Sequence, residues 1–140
     1  MFSEYFEDWK VRSGYSKEFV SLWRGWLGQE NSHNLDEVTE QEWGRFNDLI
    51  RRLAEDFTIQ AVSCETQSLQ KVSEIETILS SYEESMNKES TEFTKLVLPD
   101  LGCVISEEWD YTYIIWHKNN GAVEALTPYI KAVNLEHFHD

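Results

Sequence analysis

Few of the features that announce a function from sequence alone are present in this chain. Two cysteines, Cys64 and Cys103, are too few and too far apart for a CxxC pair or a Cys/His zinc cluster, so the sequence predicts two buried, reduced thiols. Two prolines and six glycines leave no proline-rich or glycine-rich linker. No uncharged apolar run approaches the ~18 residues of a membrane span, and the first residues carry Glu4, Glu7 and Asp8 where a secretory leader carries positive charge. The expectation is a cytoplasmic chain with no membrane partner.

Positive charge is also scarce. Twelve Lys and Arg stand against 26 Asp and Glu, giving a formal net charge of −14. A field of that sign repels phosphate backbones, so nucleic acid is not an expected partner, whereas a basic protein is attracted. Neither a GxSxG elbow nor a glycine-rich phosphate loop occurs, and neither cysteine has a catalytic context. The reading is therefore not an enzyme, with no catalytic residue, no cofactor and no metal assigned.

What is present is apolar and aromatic: 41% hydrophobic residues over 140 positions suffice for one folded domain, 1–140. Phe2, Tyr5, Phe6 and Trp9 fall at helical spacing up to Gly14, and Phe19, Val20, Trp23, Trp26 and Leu27 do so between Ser16 and Gly28. Both segments are read as helices, followed by a polar loop over Gln29 to Asp36. Thr39 and Glu42 form a capping box, with Val38 and Trp43 as its hydrophobic staple, ahead of a helix through Phe46, Ile50, Leu53 and Ala54. Residues 1–56 are thus predicted to be a helical N-terminal part.

From Phe57 the apolar period becomes two, predicting a strand, and from Thr66 it returns to three and four through Val72, Ile75, Leu79, Tyr82 and Met86, predicting a long helix. Gly102–Ser106 and Asp110–His117 read as a hairpin with Pro99 just outside it. Asn119-Asn120-Gly121 leads into a helix bearing Val123, Leu126, Ile130 and Val133, Asn134 terminates it, and Leu135–His139 forms a last strand. Over 57–140 this order matches a ferredoxin-like βαββαβ antiparallel sheet, so the predicted class is α+β with N-terminal helices packed on that sheet.

An RNA-recognition surface needs a basic residue, Gly and aromatics on the third strand, and Asp110-Tyr111-Thr112-Tyr113 does not supply them. His137 and His139 share one face of an extended segment with His117 on a nearby strand, but a chain terminus holds metal ligands poorly. Glu107, Glu108, Trp109 and Asp110 cluster between the hairpin strands as exposed carboxylates beside an aromatic anchor, and they are the candidate partner-binding residues. In size and charge the chain is similar to immunity and antitoxin proteins that block basic nucleases, a likeness that carries over no residue. The expected function is a protein-binding module for a basic partner, with a homodimer left open. The alternative is a ligand-binding or regulatory domain with a pocket between sheet and helices.

Overall fold

In the computed structural model, which describes residues 2–26, 29–87, 93–109 and 111–139, the capping box is formed and starts a helix. The Glu42 amide donates to Thr39 Oγ1, and the Thr39 amide to the Glu42 carboxylate, each at 3.1 Å. Helix α2 (Glu40–Asp56; α1 is the short N-terminal turn given below) buries Trp43, Phe46, Leu49, Ile50 and Leu53 on one face. Helix α4 (Asn120–Ala132, following the short α3) buries Ala122, Leu126 and Ile130. It ends where Asn134 takes a left-handed φ of 61°, a conformation Asn tolerates better than most residues.

Both helices lie on one face of a seven-stranded sheet, all of whose neighbours are antiparallel. In chain order its strands are β3 (Ser16–Ser21), β4 (Gln60–Ser63), β5 (Ser68–Lys71), β6 (Lys95–Leu98), β7 (Cys103–Glu108), β8 (Thr112–His117) and β9 (Glu136–Phe138). Their spatial order is β5-β4-β6-β7-β8-β3-β9. The mixed class and the antiparallel sheet thus agree with the sequence reading. The ferredoxin-like arrangement is not confirmed: it sets its first and third strands side by side, whereas β6 and β7 here separate β4 from β8.

Three segments account for the difference. Ser16–Ser21, read as part of a helix, is β3 and lies between β8 and β9. Val20 faces the helices while Phe19 covers the other face, so each side carries one apolar residue among polar ones and alternation is hidden. The N-terminal part is therefore not wholly helical. Leu27 and Gly28, read as the end of that helix, lie outside the described residues. Gln29 to Asp36, read as a loop, lies in a 3₁₀ helix that spans Gln29–Glu37.

The long helix expected from Thr66 is instead β5, a 3₁₀ turn at Ile75–Ile78 and the short α3 (Tyr82–Asn87). Val72, Ile75, Leu79 and Tyr82 still pack on the core, as their spacing implied, but along an irregular path. Arg51 anchors that path to α2, donating to both carboxylate oxygens of Glu76 at 2.7 and 2.8 Å and to Asp48 at 2.8 Å. β6, not expected as a separate strand, ends at Pro99, which cannot extend a ladder.

The N-terminal aromatics pack on the sheet, on the face opposite the helices. The short α1 (Phe2–Tyr5) leads into a hairpin of β1 (Phe6–Glu7) and β2 (Lys10–Val11). Phe2 stacks on Phe6 at 5.1 Å, and both cover Val97 and Val104 with Tyr5. One long helix through Trp9 was expected; the turn at Asp8, with φ 56°, breaks it and leaves Trp9 50% exposed.

Candidate functional site

The predicted cluster at the β7–β8 connection divides in two. Glu107 continues the alternation of β7 and faces the helices, where it is only 4% exposed. Its carboxylate accepts from the Thr94 amide at 2.9 Å, and its own amide donates to the Thr94 carbonyl at 2.8 Å. The expectation of a solvated loop acid is corrected: Glu107 is part of the packed interior. Burial, with the Glu107 charge adding to it, raises the neighbouring Tyr113 phenol above its ordinary range.

Glu108 points to the opposite face and is half-buried, accepting from Ser106 Oγ at 2.7 Å while Ser106 Oγ accepts from Trp116 Nε1 at 2.9 Å. Trp109 is 58% exposed, its ring edge-on to Phe93 at 4.7 Å. Asp110 lies outside the described residues. Of the four predicted residues, Trp109 presents a ring to solvent and Glu108 keeps a partly accessible carboxylate that is bonded to Ser106. Tyr113 and Ile115 are buried under the helices, and Trp116 is covered by the N-terminal hairpin and by the Lys17 ammonium at 4.8 Å.

A second polar cluster forms where β3, β9 and α4 meet. Glu18 sits on the helix-facing side of β3 with a side chain 8% exposed. His137 Nδ1 donates to its Oε2 at 2.5 Å, and His139 Nδ1 lies 3.6 Å from its Oε1. Thr127 Oγ1 stands 3.4 Å from His137 Nε2, but donates to the Val123 carbonyl at 2.8 Å, so its hydroxyl is committed to the helix backbone. Glu18 and His137 tie β9 to β3, with Thr127 of α4 beside the ring. His117 is held apart, donating from Nδ1 to the Asn119 carbonyl at 3.0 Å. Among the described residues no group of three or more His, Cys, Asp or Glu is placed to hold a metal ion. The sequence pointed to His137 and His139 but not to Glu18, whose strand was read as helical.

Aromatic surface gathers on the other side of the same sheet edge. Trp26, 57% exposed, stands edge-on to Phe19 at 4.6 Å and to Phe138 at 5.1 Å, and Phe19 stacks on Phe138 at 5.5 Å. Trp9, Trp26 and Trp109 are thus each at least half exposed. Single exposed apolar residues are ordinary, but three indoles on one small domain form an uncommon supply of rigid anchors.

Between α2 and the sheet, Ile50, Leu79, Thr94, Glu107 and Tyr113 line a cavity of about 10 Å³, room for about one water. Both thiols are free; burial pushes Cys103 from its ordinary 9.0 to about 12. β6 separates their strands, with Cys64 immediately following β4 and Cys103 opening β7. Among the described residues no helix is long and apolar enough to cross a membrane. Comparison with protein-family models, with curated proteins and with solved structures finds no match to the chain.

Proposed function

We propose that this chain is a protein-binding domain for a basic partner, acting as an inhibitor in the manner of immunity or antitoxin proteins, and that Trp109 is a principal anchor. The observation that carries the reading is the coexistence of three half-exposed indoles with a net charge of −14. Carboxylates steer a cationic surface into encounter, and an indole then supplies contact area once water is excluded. Glu108 adjoins Trp109 in sequence, and its partly accessible carboxylate adds to the acidic surface that a cationic partner meets. On this reading the chain works in the cytoplasm, catalyses no reaction, holds no cofactor and binds neither nucleic acid nor membrane.

The alternative, a ligand site between sheet and helices, is less well supported. The cavity under α2 is about 10 Å³, far below the ~300 Å³ of a small-molecule pocket, and the larger one of about 540 Å³ by Glu18, His117, Asn120 and His139 is an open cleft with few apolar walls. The test is retention of partners from the native cell on immobilised domain, comparing wild type, Trp109→Ala and Glu108→Gln at low and high salt. The expected result is a basic protein that wild type retains, that Trp109→Ala loses and that high salt releases. A retained partner insensitive to salt and to both substitutions contradicts the proposal, as does the retention of no protein.

A further inference from the structure

The two ends of the sheet differ. At one end β5 presents Ser68, Gln70 and Lys71 to solvent, and a lysine on an edge strand discourages pairing with another chain. At the other end β9 carries Glu136, His137 and Phe138, each only partly buried, and pairs with β3 on one side. Among the described residues no backbone hydrogen bond from these three residues runs outside the sheet. The edge is flanked by the Phe19–Trp26–Phe138 aromatic layer, whose outer ring is 57% exposed. An unpaired edge beside an exposed apolar layer is a template for strand addition.

Local charge decides the occupant. The chain as a whole repels copies of itself, with 26 acidic against 12 basic residues. Around β9 that imbalance is small: Lys17 and Arg24 stand against Glu136 and, by sequence, Asp140, while Glu18 is buried on the helix side and paired with His137. Arg24 Nε lies 3.7 Å from Glu136, and the Arg24 side chain is 85% exposed. A basic partner gains little at such a balanced edge, whereas a second copy meets little self-repulsion there. The edge also supplies guanidinium, carboxylate and indole on one patch, the mixture a twofold interface needs to complement itself.

We propose that β9 is a self-association edge, at which two copies of this chain pair their β9 strands antiparallel about a twofold axis and cover the Trp26–Phe138 layer. The sheets of the two protomers then run on as one, and Arg24 of each copy is placed to reach the aromatic layer or the Glu136 carboxylate of the other. This stands apart from partner binding through Trp109, which lies at the β7–β8 connection.

The experiment is sedimentation of the full chain over a rising protein concentration. Wild type is expected to approach twice its 16.5 kDa mass. Arg24→Glu, which disturbs an exposed side chain and adds like charge to the patch, is expected to weaken association by at least about tenfold. Trp26→Glu is expected to do the same, with the circular dichroism of both variants unchanged, and Trp109→Ala to dimerise as wild type does. A wild type that stays monomeric at every concentration overturns the proposal. So does a dimer that survives both edge substitutions, or one that is lost with Trp109→Ala. If the dimer behaves as expected but no basic partner is retained, the edge stands and the partner reading falls.

Discussion

Glu107 shows how one residue's place in a period outweighs its chemical type. In the sequence it stands with Glu108 and Asp110 as a run of acids at a turn. In the fold it is the fifth residue of β7, on the side of Cys103 and Ile105, and the pleat carries it inward. Removing its carboxylate takes the acceptor of this bond from the Thr94 amide, so Glu107→Ala is expected to cost about 1–3 kcal/mol in urea unfolding, with Glu107→Gln costing less because an acceptor remains. Equal stability of Glu107→Ala and wild type would show that the carboxylate is not engaged.

The two thiols make a second prediction at this scale. Cys103 is buried with its pKa raised from 9.0 to about 12, whereas Cys64 is half-buried. The thiolate is the reactive form, so a thiol reagent applied to native protein is expected to modify Cys64 and to reach Cys103 only after unfolding. Because Cys103 keeps its proton in the folded state while the unfolded chain loses it, its contribution is present below pH 9.0 and is lost as pH rises towards about 12. Cys103→Ser is expected to flatten that alkaline decline. Modification of Cys103 in native protein at the same rate as Cys64 contradicts the assignment.

Among the elements, α2 was legible because its start rests on local chemistry. Thr39 and Glu42 need no distant partner to form their box, and the apolar face of the helix repeats over the whole of Glu40–Asp56. Thr39→Ala is expected to lower stability by about 1 kcal/mol, and Glu42→Ala by less, as read from thermal unfolding. Identical midpoints for wild type and Thr39→Ala would show that the cap contributes nothing. The hairpin of β7 and β8, the break at Pro99, the Asn134 terminator and β9 were legible for similar local reasons.

β3 was not legible, and the cause is physical. Phe19 and Val20 are adjacent and both buried, one against Trp26 and Phe138 and the other beneath the helices, so each face mixes polar and apolar residues and no alternation shows. With Trp23 and Trp26 continuing at steps of three, the segment imitates a helical stripe. That single misreading concealed Glu18, and with it the carboxylate that gathers His137 and His139. β5 escaped for the opposite reason: its polar residues pair with β4 at an exposed edge, where burial leaves little pattern.

For the whole molecule, the central question is how a charge of −14 and exposed indoles cooperate. Steering acts over the screening length, which shortens from ~10 Å at 0.1 M salt to ~3 Å at 1 M, whereas the contact made by a desolvated indole scarcely depends on salt. The account therefore separates two kinetic effects: salt is expected to lower the association rate, and Trp109→Ala to raise the dissociation rate. Both rates are measured for the retained basic partner, with wild type and Trp109→Ala, over a series of salt concentrations. The account predicts an association rate that falls steeply with salt for both proteins and a dissociation rate at least about tenfold faster for Trp109→Ala. Association indifferent to salt, together with dissociation unchanged by the substitution, would contradict it.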